Sequence, residues 1–294
     1  MNRSHRLKKI TAFEVFNYTF FTLVCIAMLF PLWNVILISF TDYRDYVLNP
    51  LMIFPGKITL EAYKYIFATD ELLQSLFVTI KITVGGTAIS MFVSVPGAYT
   101  LSKKSLPGRS ILNAMVIFTL FFNGGIIPNF LLIRKLNLYN TLWALIIPMA
   151  INTWYLLIMR SYFSQLPSSL EESARIDGAN DFTILYRIIV PISKPIIATF
   201  ILFYGVERWN EWWHAMMYIN DTKKYPLQLL LRNMIVQNYA SAQMASQYRS
   251  SASFVSKENI KMATAVVATV PIVIVYPFLQ KHFAKGILVG SIKG

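Results

Sequence analysis

Long uncharged apolar runs, separated by short polar stretches, dominate the chain. Residues 15–41, 82–102, 110–133, 136–159 and 262–280 contain no Asp, Glu, Lys or Arg. A hydrocarbon layer about 30 Å thick takes roughly 20 apolar helical residues to cross, so each run predicts a spanning helix. A sixth is interrupted: residues 195–206 are uncharged, but the helix has to continue through Glu207, Arg208 and Glu211 to reach spanning length. It counts as a span, because without it the basic flank at Lys281, His282 and Lys285 faces the wrong side. The pattern therefore predicts an all-α membrane protein with six transmembrane helices, at about 13–41, 72–102, 110–133, 138–162, 192–217 and 262–283.

Six spans put both termini on one side. Arg3, Arg6, Lys8 and Lys9 precede the first span, and Lys103, Lys104 and Arg109 fill the short second connection. Basic residues near span ends mark the cytoplasmic face, so both termini are expected there. Composition agrees with a bilayer protein: 55% of the 294 residues are hydrophobic and only 14% charged, too apolar for a soluble domain of this size. The net charge of +13 is spread over every loop and not gathered in a groove, which argues against nucleic acid as a partner and for flanking of membrane lipid. Cys25, the one cysteine, has no partner for a disulfide or a metal site. The first span is read as an anchor and not a removed signal peptide, because no small-residue cleavage pattern follows it. One domain over residues 1–294 is expected, with no repeat and no soluble insert.

Several polar features punctuate these spans. The outer loop 42–71 holds Pro50, Pro55 and Gly56, then a short amphipathic helix around Leu60 to Phe67. Lys81 in the second span either snorkels to the interface or lines an aqueous path. Small residues from Gly85-Gly86 to Pro96-Gly97 suit close helix approach. Asn123, Gly124, Gly125 and Pro128 interrupt the third span, either as a kink for packing or as a lining of the path.

The least apolar cytoplasmic stretch is residues 166–191. Pro167-Ser168-Ser169 reads as a helix start, with Ser168 or Ser169 able to cap and Glu171 and Glu172 in the first turn. Leu170, Ala174, Ile176 and Asp177 follow, Gly178 ends the helix, and a second helical stretch from Asp181 to Val190 leads to Pro191. The spacing Glu172-Ser173-Ala174, three residues (Arg175, Ile176, Asp177), Gly178, nine residues beginning at Ala179, then Ile188-Ile189-Val190-Pro191 resembles the cytoplasmic signature of permease subunits in binding-protein-dependent ABC importers. The departures are Ser173 for Ala and Val190 for Leu. The resemblance implies that the 168–191 loop, between the fourth and fifth spans, carries a coupling helix that sits in a cleft of a separate ATPase subunit.

It extends over nearly the whole chain. Tyr99-Thr100-Leu101-Ser102 and Pro107-Gly108-Arg109 look like the family's second connection, and Trp209-Asn210-Glu211 like a motif of its fifth span. The ending, with Lys285, Gly286, Lys293 and Gly294 in the tail 284–294, resembles that of the maltose-type second permease, which reaches between the two ATPase subunits. Asn123 to Pro128 and Arg134 to Pro148 resemble permeases for complex or acidic oligosaccharides, the alginate type included. The resemblance implies a second homologous permease as partner, two ATPase subunits, an extracytoplasmic solute-binding protein and a bacterial inner membrane. No Gly-x-x-x-x-Gly-Lys-Ser/Thr phosphate loop occurs, Pro55-Gly56-Lys57-Ile58 being the nearest stretch, so no cofactor is expected in this chain. ATP and Mg are expected on the partner ATPase subunits, and this chain is not an enzyme.

Glu207, Arg208, Trp209, Asn210 and Glu211, with Trp212, Trp213 and His214, crowd the outer half of the fifth span. Together with Lys81, Asn123, Gly124 and Gly125 they are the candidate substrate path. Indoles stack on sugar rings and Asn and Glu bond hydroxyls, but Trp also gathers at bilayer interfaces regardless of transport. Glu207 and Glu211, four apart on one helix, cannot flank a sugar as a glycosidase pair does. An autonomous channel or ion-coupled transporter is the competing reading. It predicts ionisable residues deep in several spans, where only Lys81 and the fifth-span cluster qualify. The scattered His5, His214 and His282 offer no metal set for a membrane enzyme.

Overall fold

The computed structural model describes residues 11–68, 70–236 and 257–291. Among these residues the chain is helical, with one isolated antiparallel bridge between Thr41 and Ile58. It divides into two compact units, residues 1–68 with 238–267 and residues 69–237 with 268–294.

The first unit is built on α1, Ala12–Phe40. A capping box starts it: the Thr11 hydroxyl accepts from the Glu14 amide at 3.3 Å, and the Glu14 carboxylate accepts from the Thr11 amide at 2.8 Å. Phe16, Phe20, Leu29 and Leu32 stand exposed along it, as expected of a helix apolar on all sides and solvated by lipid. Its far end is buried at Leu37, Ile38 and Ser39. There the Asn259 amide donates to the Ile38 and Thr41 carbonyls, both at 2.7 Å, satisfying acceptors that a helix end leaves open. The short helices α2, Tyr43–Leu48, and α3, Glu61–Ala68, follow. The amphipathic helix expected near 60–67 is α3, which buries Ala62, Tyr65 and Ile66.

The second unit contains α4 Asp70–Ser102, α5 Arg109–Phe121, α6 Ile126–Lys135, α7 Thr153–Phe163, α8 Ser169–Ile176, α9 Asp181–Thr183, α10 Val190–Ile192, α11 Lys194–Trp209, α12 Trp213–Tyr218 and α13 Leu227–Val236. Its spine is α4, against which α11 and α7 pack. Gly86, Ser90, Ser94, Ala98 and Ser102 recur every fourth residue and are all buried. Such a ridge of small side chains lets a neighbouring backbone come close. Two apolar clusters lie along the spine. One joins Val95, Ala98 and Tyr99 to Leu156, Met159, Phe163, Phe200 and Tyr204. The other joins Val78 and Ile82 to Ile133, Ala144, Leu145, Ala215, Tyr218 and Leu229.

Two described helices, α1 and α4, are by themselves long and apolar enough to cross a membrane. They match the expected first and second spans. The others depart from single rods. The run 110–133 is two helices, α5 and α6, meeting at 115°; Gly125, at φ +90°, makes the corner, and the Asn123 side chain accepts from its amide at 2.9 Å. The run 138–162 is helical only as a 3-10 turn, Leu142–Leu145, and as α7. Ile146 to Asn152 between them follow no helix: Pro148 lies within this stretch, and Asn152 caps α7 by accepting from the Trp154 and Tyr155 amides. The run 192–217 holds α11 and α12, parted at 210–212. If each bent pair counts as one span, four helical spans pass the length and composition test. The C-terminal helix is Lys257–Ser291, so the helix continues through most of the stretch expected as a tail. Lys285 and Gly286 lie on it, whereas Lys293 and Gly294 lie outside the described residues, as do Arg3, Arg6, Lys8 and Lys9.

Candidate functional site

The polar island forms a helix, a tight turn and a second helical stretch. The serine cap expected at its start is not made: Ser168 stands at the N-cap in helical conformation and its side chain bonds no amide. The turn is closed instead by backbone bonds, Leu170 N to Pro167 O at 3.3 Å and Glu171 N to Ser168 O at 3.0 Å, since a residue already in helical φ and ψ points its hydroxyl away from the open amides. At the other end of α8 the Gly178 amide donates to the Arg175 carbonyl at 3.0 Å and the Ala179 amide to the Ala174 carbonyl at 2.9 Å. This pair of bonds is a Schellman closure, which requires a left-handed residue. Gly178 supplies it at φ +80°, and a Cβ there would touch nothing within 4 Å. Its glycine is thus a conformational requirement and not a matter of space.

Ala174 is buried in the cluster formed by α4, α7 and α11, together with Ile184, Leu185 and Ile189, and Ala179 and Ile188 pack on the same cluster. A larger side chain at 174 would overfill it. Glu171 is paired with Lys103, whose ammonium also lies 3.8 Å from the centre of the Tyr99 ring. This ties the island to the end of α4. Arg175 and Asp181 pair across the Gly178 turn on the exposed side. Glu172, Ser173 and Asp177 are also exposed, and Ile176 and Phe182 stand out at 86% and 73% exposure. From Asp181 the chain winds through α9, a π-helical turn Ile184–Ile189 and α10. It then bends by 87° into α11 at Ser193, between Pro191 and Pro195, neither of which has an amide hydrogen to continue the ladder.

The cluster at residues 207–214 does not gather on one surface. Glu207 and Asn210 are exposed, as are Lys81 on α4 and Asn123, Gly124 and Gly125 at the corner of α5 and α6. Arg208, Trp209 and Glu211 are buried, contrary to a common lining. The Trp209 indole donates to the Ala268 carbonyl at 3.1 Å. The Glu211 carboxylate accepts from the His214 amide at 2.8 Å and faces its ring nitrogen at 3.1 Å, closing the break before α12. Asn210 donates to the Val206 carbonyl at 2.9 Å. Arg232 lies over the Trp212 ring. Among the described residues no group of three His, Cys, Asp or Glu side chains gathers to hold a metal ion.

A family model described as binding-protein-dependent transport system inner membrane component matches residues 11–289. The chain belongs to that family. It is similar over its whole length to Protein LplC of Bacillus subtilis (strain 168), at 44% identity over 99% of this chain and 98% of that protein. The Bacillus subtilis polygalacturonan/rhamnogalacturonan transport system permease protein YtcP is 45% identical over 96% of this chain and 98% of its own. Among solved structures, one chain of a bacterial ABC transporter involved in the import of the acidic polysaccharide alginate superposes with a TM-score of 0.88 at 32% identity, over 96% of this chain and 99% of that one. This inner membrane component is accordingly a permease and not an enzyme.

In the permease, what sequence reasoning missed is the role of the side chains that hold the backbone at Leu145 and in the non-helical stretch 146–152. The Arg208 guanidinium, 2% exposed, donates to the Leu145 carbonyl at 2.8 Å, to the Met149 carbonyl, and to the Ser90 hydroxyl at 3.3 Å. One turn earlier on α11, the Tyr204 hydroxyl accepts from the Asn152 amide at 3.2 Å and shares a bond of 2.9 Å with Ser94. Gly86 makes room: a Cβ there would come within 3.1 Å of the arginine Nε. The four-residue spacings of Ser90 with Ser94 and of Tyr204 with Arg208 were visible in the sequence. What they bond was not.

Proposed function

We propose that this chain is one of two permease subunits of an ATP-driven importer that carries an acidic oligosaccharide into the cytoplasm. The island at 168–191 is its coupling element. That reading rests above all on the way the island is built: a short helix closed by its own backbone at Gly178, anchored through Ala174 and Ile184–Ile189 in the same cluster as α4, α7 and α11, and presenting Ile176 and Phe182 outward. A body so anchored moves with the spans when something grips its exposed face, and transmission by rigid displacement requires that. Glu171, Glu172, Ser173, Ala174, Arg175, Asp177, Gly178, Ala179, Ile188 and Pro191 form this element. The partners are a second homologous permease, two ATPase subunits that bind ATP and Mg, and an external solute-binding protein. The chain crosses the bacterial inner membrane six times with both termini inside, and the C-terminal stretch with Lys285, Gly286, Lys293 and Gly294 contacts the ATPases.

Two similarities with the same chemistry support the acidic substrate, to a permease named for polygalacturonan and to an alginate importer. Lys81, Asn123, Gly124, Gly125, Glu207 and Asn210, all exposed, are the proposed lining, with Lys81 the cation for a uronate carboxylate. Arg208, Trp209 and Glu211 support it from within. The test is to purify the complex through a tag on this chain, identify its companions by mass spectrometry, and assay uptake of labelled oligogalacturonate in proteoliposomes. An ATPase dimer, a second permease and ATP-dependent uptake are expected. A chain that emerges alone would point to an autonomous channel or ion-coupled transporter.

A further inference from the structure

Backbone that leaves the helix at membrane depth has polar groups that lipid cannot satisfy, so it persists only where protein or water takes its place. The stretch Ile146 to Asn152 is such backbone. One side of it is exposed at Ile147, Pro148 and Ile151, while Ile146 faces inward. Its Met149 carbonyl and Asn152 amide, with the Leu145 carbonyl just before it, are held by two rungs. The first runs from Ser90 on α4 through Arg208 on α11 to the Leu145 and Met149 carbonyls. The second runs from Ser94 through Tyr204 to the Asn152 amide. Tyr204 is 1% exposed and Arg208 2%. Arg208 makes no ion pair within 4 Å among the described residues, and its Nε has no partner there. A buried guanidinium with no carboxylate in direct contact is an expensive way merely to fill space. Here its donors go to the Leu145 carbonyl at the end of the 3-10 turn and to the Met149 carbonyl within the loop, so its position and the loop's position define each other.

The helix that carries both rungs is the one that leaves the island. From the 87° bend at Ser193, α11 runs without interruption to Trp209, so a tilt of its first turn displaces Tyr204 and Arg208 with it. We infer that Tyr204 and Arg208 are positioning residues for transport, which attach the non-helical wall 146–152 of the fourth span to α11 so that the wall shifts when the island is driven. This rests on the reading of the chain as a driven permease subunit. Ser90 and Ser94 are the fixed side of the device, and Gly86 is the space in which the guanidinium lies.

The experiment compares Arg208→Gln, Arg208→Lys, Tyr204→Phe and Gly86→Ala in the complex purified through this chain, reading the amount assembled, ATP hydrolysis and oligogalacturonate uptake. Tyr204→Phe keeps the ring and removes one hydroxyl, so it tests the ladder even if the charge variants assemble poorly. The expected result is that sugar carried per ATP hydrolysed falls at least about fivefold in Tyr204→Phe, Arg208→Gln and Gly86→Ala, with Arg208→Lys intermediate because an ammonium cannot span both carbonyls. An unchanged ratio, or uptake and hydrolysis falling together with the amount of complex, overturns the proposal and leaves the ladder a structural pin. A second readout separates this from the substrate assignment. With Cys25→Ser and Ile147→Cys, labelling by a membrane-impermeant thiol reagent is expected to change when ATP binds, and to lose that change in Tyr204→Phe. If the unaltered complex hydrolyses ATP but carries no oligogalacturonate, the acidic-sugar reading falls while the labelling still decides on the ladder. Labelling that responds to ATP equally with and without the Tyr204 hydroxyl overturns it.

Discussion

The chain interrupts its helices at Gly178 and again over Ile146 to Asn152, and only the second break draws on side chains from a distant helix. At Gly178 the open carbonyls are met from within seven residues: Asp177, Gly178 and Ala179 donate to Ser173, Arg175 and Ala174. Over 146–152 the Ala150 amide donates to the Ile147 carbonyl at 3.1 Å, but the Met149 carbonyl and the Asn152 amide are met by side chains more than 50 residues away, Arg208 and Tyr204. A break closed by its own backbone makes a compact unit that can be handled as one piece. A break closed from a distance ties three helices together. The first suits a part that is gripped, the second a part that must follow another.

The sharpest way to break the comparison is Gly178→Pro. Proline cannot adopt φ +80° and has no amide for the Arg175 carbonyl, so the local closure is lost at a cost of about 3 kcal/mol or more. The apolar pattern of the spans is untouched. Normal membrane insertion with uptake at background is expected, measured by labelled-sugar uptake in cells against the amount of chain in the membrane. Wild-type uptake by this variant would sink the coupling assignment.

Tyr204→Phe probes the other break. It leaves the Asn152 amide and the Ser94 hydroxyl without their shared partner in a buried site, a loss of about 2 kcal/mol. A lower melting temperature of the purified complex is expected, and with it the uptake defect described above. Gly178→Ala is smaller. With no atom within 4 Å of the added Cβ, the penalty is only that of a left-handed alanine, about 1 kcal/mol. A partial fall in uptake with little change in melting is expected, because the island is a small exposed part of the fold.

This difference also explains what the sequence disclosed. Gly178, the corner at Asn123 to Gly125 and the helix α3 were legible because the residues that cause them are neighbours. Apolar length announced α1 and α4 for the same reason. The break within residues 136–159 was not legible: an uncharged run of that length reads as one rod, and the approach of α11 helps make a non-helical stretch tolerable there. Arg208 read as a path residue because charge at membrane depth usually faces water. Burial against Leu145 and Met149 is a tertiary fact, and no spacing within α11 encodes it.

The finest test sets two asparagines against each other. Asn137 and Asn140 share the left-handed conformation, at φ 55° and 59°, and so resemble each other in sequence and in backbone. Asn137 ends α6 as Gly178 ends α8: its amide donates to the Arg134 carbonyl and that of Leu138 to the Ile133 carbonyl, each at 3.1 Å. Asn140 belongs to the other class. Its side-chain oxygen accepts from the Asn220 and Asp221 amides at 3.1 and 3.0 Å, and its own amide donates to the Tyr218 carbonyl at 2.8 Å. Glycine relieves the backbone at either position. Asn137→Gly is therefore expected to raise stability by about 0.5 kcal/mol, while Asn140→Gly, losing two side-chain bonds to a segment 80 residues away, is expected to lower it by about 1–2 kcal/mol. Thermal melts of the two variants in the same detergent carry the comparison. Equal signs would mean that the division between locally and remotely closed breaks does not govern stability in this protein.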